Sequence, residues 1–169
     1  SCSDALAVAA DIGSEIVQGA VWHDGMCAFH GATYHPTERG TVTYRSFDGA
    51  LYDGSSGIAL ALSRLHLATG EVRFRDTALG ALRHAVQAGA PGGGLYDGSA
   101  GLALASSLVA DMLDSPEARA LARRAESSFL SITSETSAPD AFDLTSGLAG
   151  QIFVLCQLDG KRGDLIDLA

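Results

Sequence analysis

The sequence predicts an all-α fold built from helix hairpins that repeat along the chain. Two ten-residue segments, Leu51–Leu60 and Leu95–Leu104, are identical at eight positions and begin 44 residues apart. A weaker third copy, Ser146–Phe153, places its Gly-x-x-Gly sequence 49 residues after that of the second. Each copy leads into an apolar run of helical length, and periods of this size are typical of arrays of helical hairpins.

Every copy carries two glycines three residues apart, where the predicted inner helix begins. A glycine has no Cβ, so it can adopt a positive φ in a tight turn and lets another backbone come close. Both glycines lie on one face of the first helical turn, so successive inner helices can crowd a common axis. The turn glycines are Gly54, Gly57, Gly98, Gly101, Gly147 and Gly150.

The other elements are predicted from the spacing of apolar residues. Residues 1–21 are expected to form a helix, and residues 22–50 a long ordered loop with a strand-like run at 41–44. Repeat units follow at 51–92, 93–142 and 143–169, each opening with an inner helix that is apolar nearly all round. Outer helices bury one face, through Phe74, Ala78, Leu82 and Ala85 and then through Ala118, Leu121, Ala125 and Phe129.

Length, net charge and cysteine content limit the domain count, the binding partners and the cellular compartment that we expect. A chain of 169 residues is expected to form one domain, and its net charge of −9 argues against nucleic acid or an anionic membrane surface as a partner. A neutral or cationic ligand is easier to accommodate. Three widely spaced cysteines do not make a disulfide framework, and no membrane span or signal peptide is visible, so we expect a cytoplasmic protein.

Several residues in and near the repeats are interpreted as structural. Asp53 and Asp97 precede the first glycine of their copies and are expected to cap the following helices. Tyr52 and Tyr96 recur identically, which indicates the same packing role in each repeat. Cys156 lies within an apolar inner helix and is expected to be packed.

A metal site is not predicted within the chain. Cys27 and His30 have a Cys-x-x-His spacing that could hold a metal, yet they precede the repeats and lack a second close pair of ligands. The remaining histidines are scattered and are interpreted as surface or core residues: His23, His35, His66 and His84.

The repeated motif resembles that of the LanC-like family of lanthionine-synthetase cyclases. Leu95–Leu104, with the sequence Leu-Tyr-Asp-Gly-Ser-Ala-Gly-Leu-Ala-Leu, is very similar to the family's repeat, and the resemblance runs from about Ala50 to Leu158. It implies an α/α toroid, a double-layered helical barrel whose inner helices open with Gly-x-x-Gly turns. Such a toroid needs about seven helix pairs, so the three copies here are expected to belong to a longer synthetase.

The resemblance also implies an activity and a cofactor. Family members add cysteine thiols to dehydroalanine or dehydrobutyrine in a ribosomally made precursor peptide, and zinc activates the thiol in most of them. The family's zinc-binding motifs, Trp-Cys-x-Gly and Cys-His-Gly, are absent from this chain. We therefore expect no cofactor within the chain, zinc in a complete family member, and dehydratase or kinase/lyase domains as possible companions.

Asp143 is the catalytic residue that the resemblance implies. The family has an aspartate four residues before the first glycine of its third repeat, and Asp143-Leu144-Thr145-Ser146-Gly147 matches this pattern. The alternative is that Asp143 is a capping or loop carboxylate.

Three functions are compatible with the sequence. The leading hypothesis is part of a lanthipeptide cyclase that supplies Asp143 and part of the peptide-binding wall. The alternative is a metal-free LanC-like module that only binds a peptide or partner protein. A helical-barrel carbohydrate-active enzyme fits less well, because one Trp and 7% aromatic residues offer little stacking surface for sugars.

Overall fold

Helices dominate the protein, and the all-α fold class is confirmed. The computed structural model describes residues 2–34, 42–135 and 141–162, of which 66% are helical. The helices are α1 (Cys2–Gln18), α2 (Ser55–Thr69), α3 (Val72–Ala88), α4 (Ser99–Leu113), α5 (Pro116–Glu135) and α6 (Leu148–Arg162).

The helices of the repeats form two layers. Helices α2, α4 and α6 lie side by side in an inner layer, while α3 and α5 pack outside α2 and α4, respectively. The apolar faces predicted for the two outer helices are buried at all eight positions, including Phe74 and Phe129, which have no exposed surface. The sequence of residues 160–164 predicts a loop, but residues 160–162 form the last turn of α6. The sequence of residues 165–169 predicts the opening of another outer helix, which lies outside the described residues.

The ends of the helices follow ordinary capping chemistry. Gly70 ends α2 with a left-handed φ of 73°, and its amide donates to the carbonyl of His66. Ser115 precedes α5, and its hydroxyl accepts a hydrogen bond from the amide of Ala118 at 3.0 Å.

The segment expected to be a long loop is instead two β-hairpins. Strand β1 (Val21–His23) pairs with β2 (Met26–Ala28), and β3 (His30–Tyr34) pairs with β4 (Val42–Ser46), both antiparallel. The first hairpin turns at Asp24 and Gly25, which both have positive φ, and Asp-Gly is a strong signal for such a two-residue turn. The predicted strand-like run at 41–44 overlaps β4.

The first hairpin covers the outer helix of the first repeat. Cys27 and Phe29 are buried and join Ala81 and Leu82 of α3 in one apolar cluster. A Cβ on Gly80 would lie 2.7 Å from the ring of Trp22, so the hairpin can approach α3 only over a glycine.

Helix α1 ends earlier than the helix predicted at residues 1–21. It stops at Gln18, and Val21 already begins β1. Val8 and Ile12 are 59% and 55% exposed, whereas Ile16 packs against the core. Its contact with the first repeat includes Gly13, where a Cβ would lie 3.0 Å from the ring of Phe74.

The turn glycines begin the inner helices, but the expectation of a positive φ is wrong. Gly54 and Gly98 directly precede α2 and α4 with extended φ values of −127° and −137°, which other residues adopt freely. A side chain is excluded at these glycines because neighbouring backbone atoms leave no room for a Cβ. A Cβ on Gly98 would lie 2.8 Å from the carbonyl carbon of Gly93, and one on Gly101 would lie 2.9 Å from that of Leu95.

Gly101→Ala should therefore lower stability, although alanine is the better helix former. The added methyl group overlaps the carbonyl oxygen of Leu95, and overpacking of this kind costs about 1–3 kcal/mol. Thermal unfolding would report it as a drop in Tm.

Gly160→Ala is the matched control, because Gly160 is also helical but nothing lies within 4 Å of its added Cβ. That variant should be neutral or more stable, by up to about 1 kcal/mol. Equal Tm shifts for the two variants would contradict the close-approach explanation.

Candidate functional site

The turns before the three inner helices are joined to one another by backbone hydrogen bonds. The amide of Tyr52 donates to the carbonyl of Tyr96 at 2.9 Å, and the amide of Tyr96 donates to the carbonyl of Thr145 at 3.0 Å. These residues occupy the same position in their copies, two before the first glycine. The three turns thus form a continuous surface, called here the turn wall, along the starts of α2, α4 and α6.

The second glycine of each later copy makes this stacking possible. A Cβ on Gly101 would lie 2.9 Å from the Cβ of Leu51, and one on Gly150 would lie 2.9 Å from the Cβ of Leu95. Each turn leucine therefore packs onto the glycine of the next repeat. Because this spacing leaves no room for a methyl group, the glycines set the distance between successive turns.

Aromatic and acidic side chains line the turn wall. The rings of Tyr52 and Tyr96 meet edge to face with their centres 6.3 Å apart, and Tyr52 remains 81% exposed. Their predicted packing is thus a contact with each other at the surface. The carboxylates of Asp53, Asp97 and Asp143 lie at the same turns and are also exposed.

Asp53 and Asp97 do not cap the helices as predicted. The residues at the N-cap positions are Gly54 and Gly98, and neither helix start has a side-chain cap. Asp97 instead accepts a hydrogen bond from the hydroxyl of Ser146 at 2.6 Å, and Asp53 lies 3.6 Å from the guanidinium of Arg45. The second aspartate therefore links two repeats.

Asp143 lies at the exposed end of the turn wall. One carboxylate oxygen, Oδ1, accepts hydrogen bonds from the amides of Thr145 at 2.7 Å and Ser146 at 2.9 Å. These bonds favour the charged form and hold the pKa of Asp143 below its usual value, so the group is ionised at neutral pH. The other oxygen, Oδ2, has no hydrogen bond to any other residue that the structure describes.

The contacts of Asp143 are those of the capping alternative, yet they leave one oxygen open. Asp143 corresponds to Ala50 and Gly94 in the other copies, so only the third turn has a carboxylate at this position. An ionised group of this kind can accept a proton or a hydrogen bond from a ligand on the wall. Its catalytic role stays a prediction.

The residues considered for a metal are not brought together. Cys27 is buried, its Sγ donates to the carbonyl of Thr77 at 3.4 Å, and burial raises its pKa to about 12. His30 is exposed on β3. Among residues 2–34, 42–135 and 141–162, no three His, Cys, Asp or Glu side chains lie close enough to hold a metal ion.

Two other expectations about side chains are corrected or extended. Cys156, expected to be packed, is exposed on α6. His84, expected to be a surface or core residue, shares a hydrogen bond with the hydroxyl of Ser55 at 3.0 Å. The role of Ser146 was not predicted, although its alignment with Asp53 and Asp97 was a signal that this position faces its neighbours.

A family model for the lanthionine synthetase C-like proteins matches residues 45–168. The chain belongs to this family. The match covers the three repeats and begins within β4, so the first hairpin and α1 precede it. No curated protein matches the sequence. In the described part of this lanthionine synthetase C-like chain, no helix is long and apolar enough to cross a membrane.

The pKa of Asp143 predicts how the third turn responds to pH. Because the folded-state pKa is lowered, the hydrogen bonds of Asp143 stabilise the turn above the usual pKa of an aspartate and are lost as the pH falls through the lowered value. NMR titration should show the amide signals of Thr145 and Ser146 moving together with a midpoint below the usual aspartate pKa. Asp143→Asn should remove this transition, and a midpoint at or above the usual value would refute the bonds.

Cys27 and Cys156 should differ strongly in reactivity. At pH 8 a thiol with a pKa of about 12 is ionised at roughly one part in ten thousand. Iodoacetamide should label exposed Cys156 at least about 100 times faster than Cys27 in the folded protein, as read by peptide mass spectrometry. Denaturant should bring the two rates together, and similar rates in the folded protein would show that Cys27 is accessible.

Proposed function

We propose that the turn wall is part of the peptide-binding and proton-transfer surface of a lanthipeptide cyclase. The observation that carries the proposal is the ionised carboxylate of Asp143 at the end of the wall, with Oδ2 free to meet a ligand. Membership of the lanthionine synthetase C-like family supports it. The precursor peptide would lie along the exposed rings of Tyr52 and Tyr96.

Ring closure requires a proton to leave one atom and another proton to arrive elsewhere. The cysteine thiol loses its proton, its sulfur bonds to the β-carbon of dehydroalanine or dehydrobutyrine, and the double-bond electrons pass to an enolate that is protonated at the α-carbon. An ionised Asp143 suits the first transfer, because it can take up the thiol proton or orient the group that does. Asp143 is charged at neutral pH, so it is not the initial proton donor.

The zinc that such cyclases use does not fit the described residues of this chain. Its ligands would have to be ionised thiolates and neutral imidazoles, whereas burial keeps Cys27 protonated through a pKa of about 12. No step is therefore assigned to a metal at these residues.

Asp143→Asn tests the catalytic role in the natural protein that carries this domain. The amide oxygen can still accept the bonds from Thr145 and Ser146, so the fold should be kept while the charge is lost. We expect ring closure on a dehydrated precursor peptide to slow by roughly 100-fold or more. Thiol alkylation followed by mass spectrometry counts the cysteines that remain open.

Asp76→Asn is the matched control, since Asp76 is an exposed aspartate of the outer layer that bonds Arg75. The Asp76→Asn variant should close rings in the precursor peptide at the rate of the protein without a substitution. An Asp143→Asn variant that folds normally and closes rings equally fast would sink the catalytic assignment.

In the alternative function, the chain binds a peptide without catalysing a reaction. The exposed rings of Tyr52 and Tyr96 support it, because they offer a contact surface for a peptide whether or not ring closure follows. It predicts that the unmodified protein binds the dehydrated peptide but leaves its thiols open. Peptide binding measured by fluorescence anisotropy alongside the alkylation assay separates the two functions.

A further inference from the structure

A cavity of about 230 Å³ lies between the layers of the second repeat, beside the start of α4. The end of α3, the start of α4 and the middle of α5 line it, and it is open to solvent at Arg124 and Ser128. Val86, Ala90, Leu102 and Ala125 give it an apolar part next to these polar side chains. This volume is enough for a small organic molecule, since an engineered apolar cavity of about 150 Å³ binds benzene.

One wall of the cavity carries a buried hydroxyl group without a partner. Ser99 is the first residue of α4 and only 3% exposed, and its Oγ forms no hydrogen bond within the described residues. A buried polar group left unpaired costs free energy, so such groups are normally satisfied. An occupant of the cavity that accepts a hydrogen bond would satisfy it.

The first repeat shows what fills the equivalent space. Ser55 corresponds to Ser99, and its hydroxyl is bonded to Nδ1 of His84 from the outer helix. The buried positions of α3 recur in α5 after 44 residues, as with Phe74 and Ala118, so Ser128 stands where His84 stands. Ser128 is exposed and lines the cavity, so a smaller side chain stands at the position of the imidazole ring.

The cavity of the second repeat is also lined by a cationic side chain that the first repeat lacks. Arg124 lines the cavity, and the same register aligns it with Gly80 in the first repeat. Its guanidinium forms no ion pair with any residue in the described ranges, in a chain with a net charge of −9. The start of α4, where Ser99 lies, is the positive end of that helix dipole.

We propose that this cavity binds a small organic carboxylate. The carboxylate would accept hydrogen bonds from the hydroxyls of Ser99 and Ser128 and pair with Arg124, while a short aliphatic part fills the apolar space. Arginine suits this role because its planar guanidinium matches a carboxylate with two parallel bonds. The proposal uses neither Asp143 nor the tyrosine rings of the turn wall, so it does not depend on the cyclase proposal.

Isobutyrate is the probe, and isobutyramide is its neutral control of the same shape. NMR titration of the protein should show saturable shifts at the amides of Ser99 and Ala125 in the millimolar range. Isobutyramide should bind at least about tenfold more weakly, because it offers no charge to Arg124. Equal binding of the two, or no saturable shift, would overturn the proposal.

Two variants locate the site. Arg124→Gln should weaken isobutyrate binding at least about tenfold, whereas Arg123→Gln should leave it unchanged, since Arg123 is equally exposed but lines a different cavity. Ser128→His should place an imidazole against Ser99 as in the first repeat, abolish binding and raise Tm. Equal effects of the two arginine variants would refute the site, even if Ser128→His failed to fold.

The carboxylate could be a free metabolite or the end of a peptide. Acetyl-glycyl-valine with a free carboxyl group, compared with its amide, distinguishes these sources. Binding of this acid at least as tight as that of isobutyrate assigns the cavity to a peptide end, and exclusion of the acid assigns it to a free small acid. Either result supports a carboxylate site, whereas equal binding of acid and amide would count against it.

Discussion

The distance between successive turns is the constraint on which this structure depends. Leu51 rests on Gly101 and Leu95 rests on Gly150 at separations that exclude a methyl group. Only at this distance do the amides of Tyr52 and Tyr96 reach the carbonyls of the next turn. The inner helices then lie side by side, and the outer helices bury their apolar faces against them.

The same stacking decides the character of the exposed surface. Because equivalent residues come together, the tyrosines of two copies meet as a pair, and the same turns carry the exposed carboxylates of Asp53, Asp97 and Asp143. Carboxylates near two aromatic rings favour neutral or cationic ligands and repel anions. The cavity of the second repeat, with Arg124 and two hydroxyl groups, has the opposite preference.

The repeat made much of the fold predictable, because identical residues 44 positions apart must occupy equivalent places. The buried faces of the outer helices and the starts of the inner helices followed from this periodicity. The two hairpins were missed because their strands are only three to five residues long, although Asp24-Gly25 was a usable signal.

Contacts between repeats were harder to predict than the helices themselves. The glycines were expected to adopt a positive φ and to let another backbone come close, and only the close approach is found. The local sequence does not reveal which turn makes that approach. For the same reason Asp97 was expected to cap its own helix and instead bonds Ser146 of the next copy. Asp143 was chosen by resemblance, and its two bonds to backbone amides became visible only in three dimensions.

A single peptide unit, between Thr145 and Ser146, connects Asp143 to the second repeat. Its carbonyl accepts from the amide of Tyr96, and its own N–H donates to the carboxylate of Asp143. Hydrogen bonds joined through one amide polarise each other, so a negative charge at one end strengthens the bond at the other. Neutralising Asp143 would thus weaken the hydrogen bond from the amide of Tyr96 to the carbonyl of Thr145. A proton taken up by the carboxylate would therefore weaken the contact between the second and third turns.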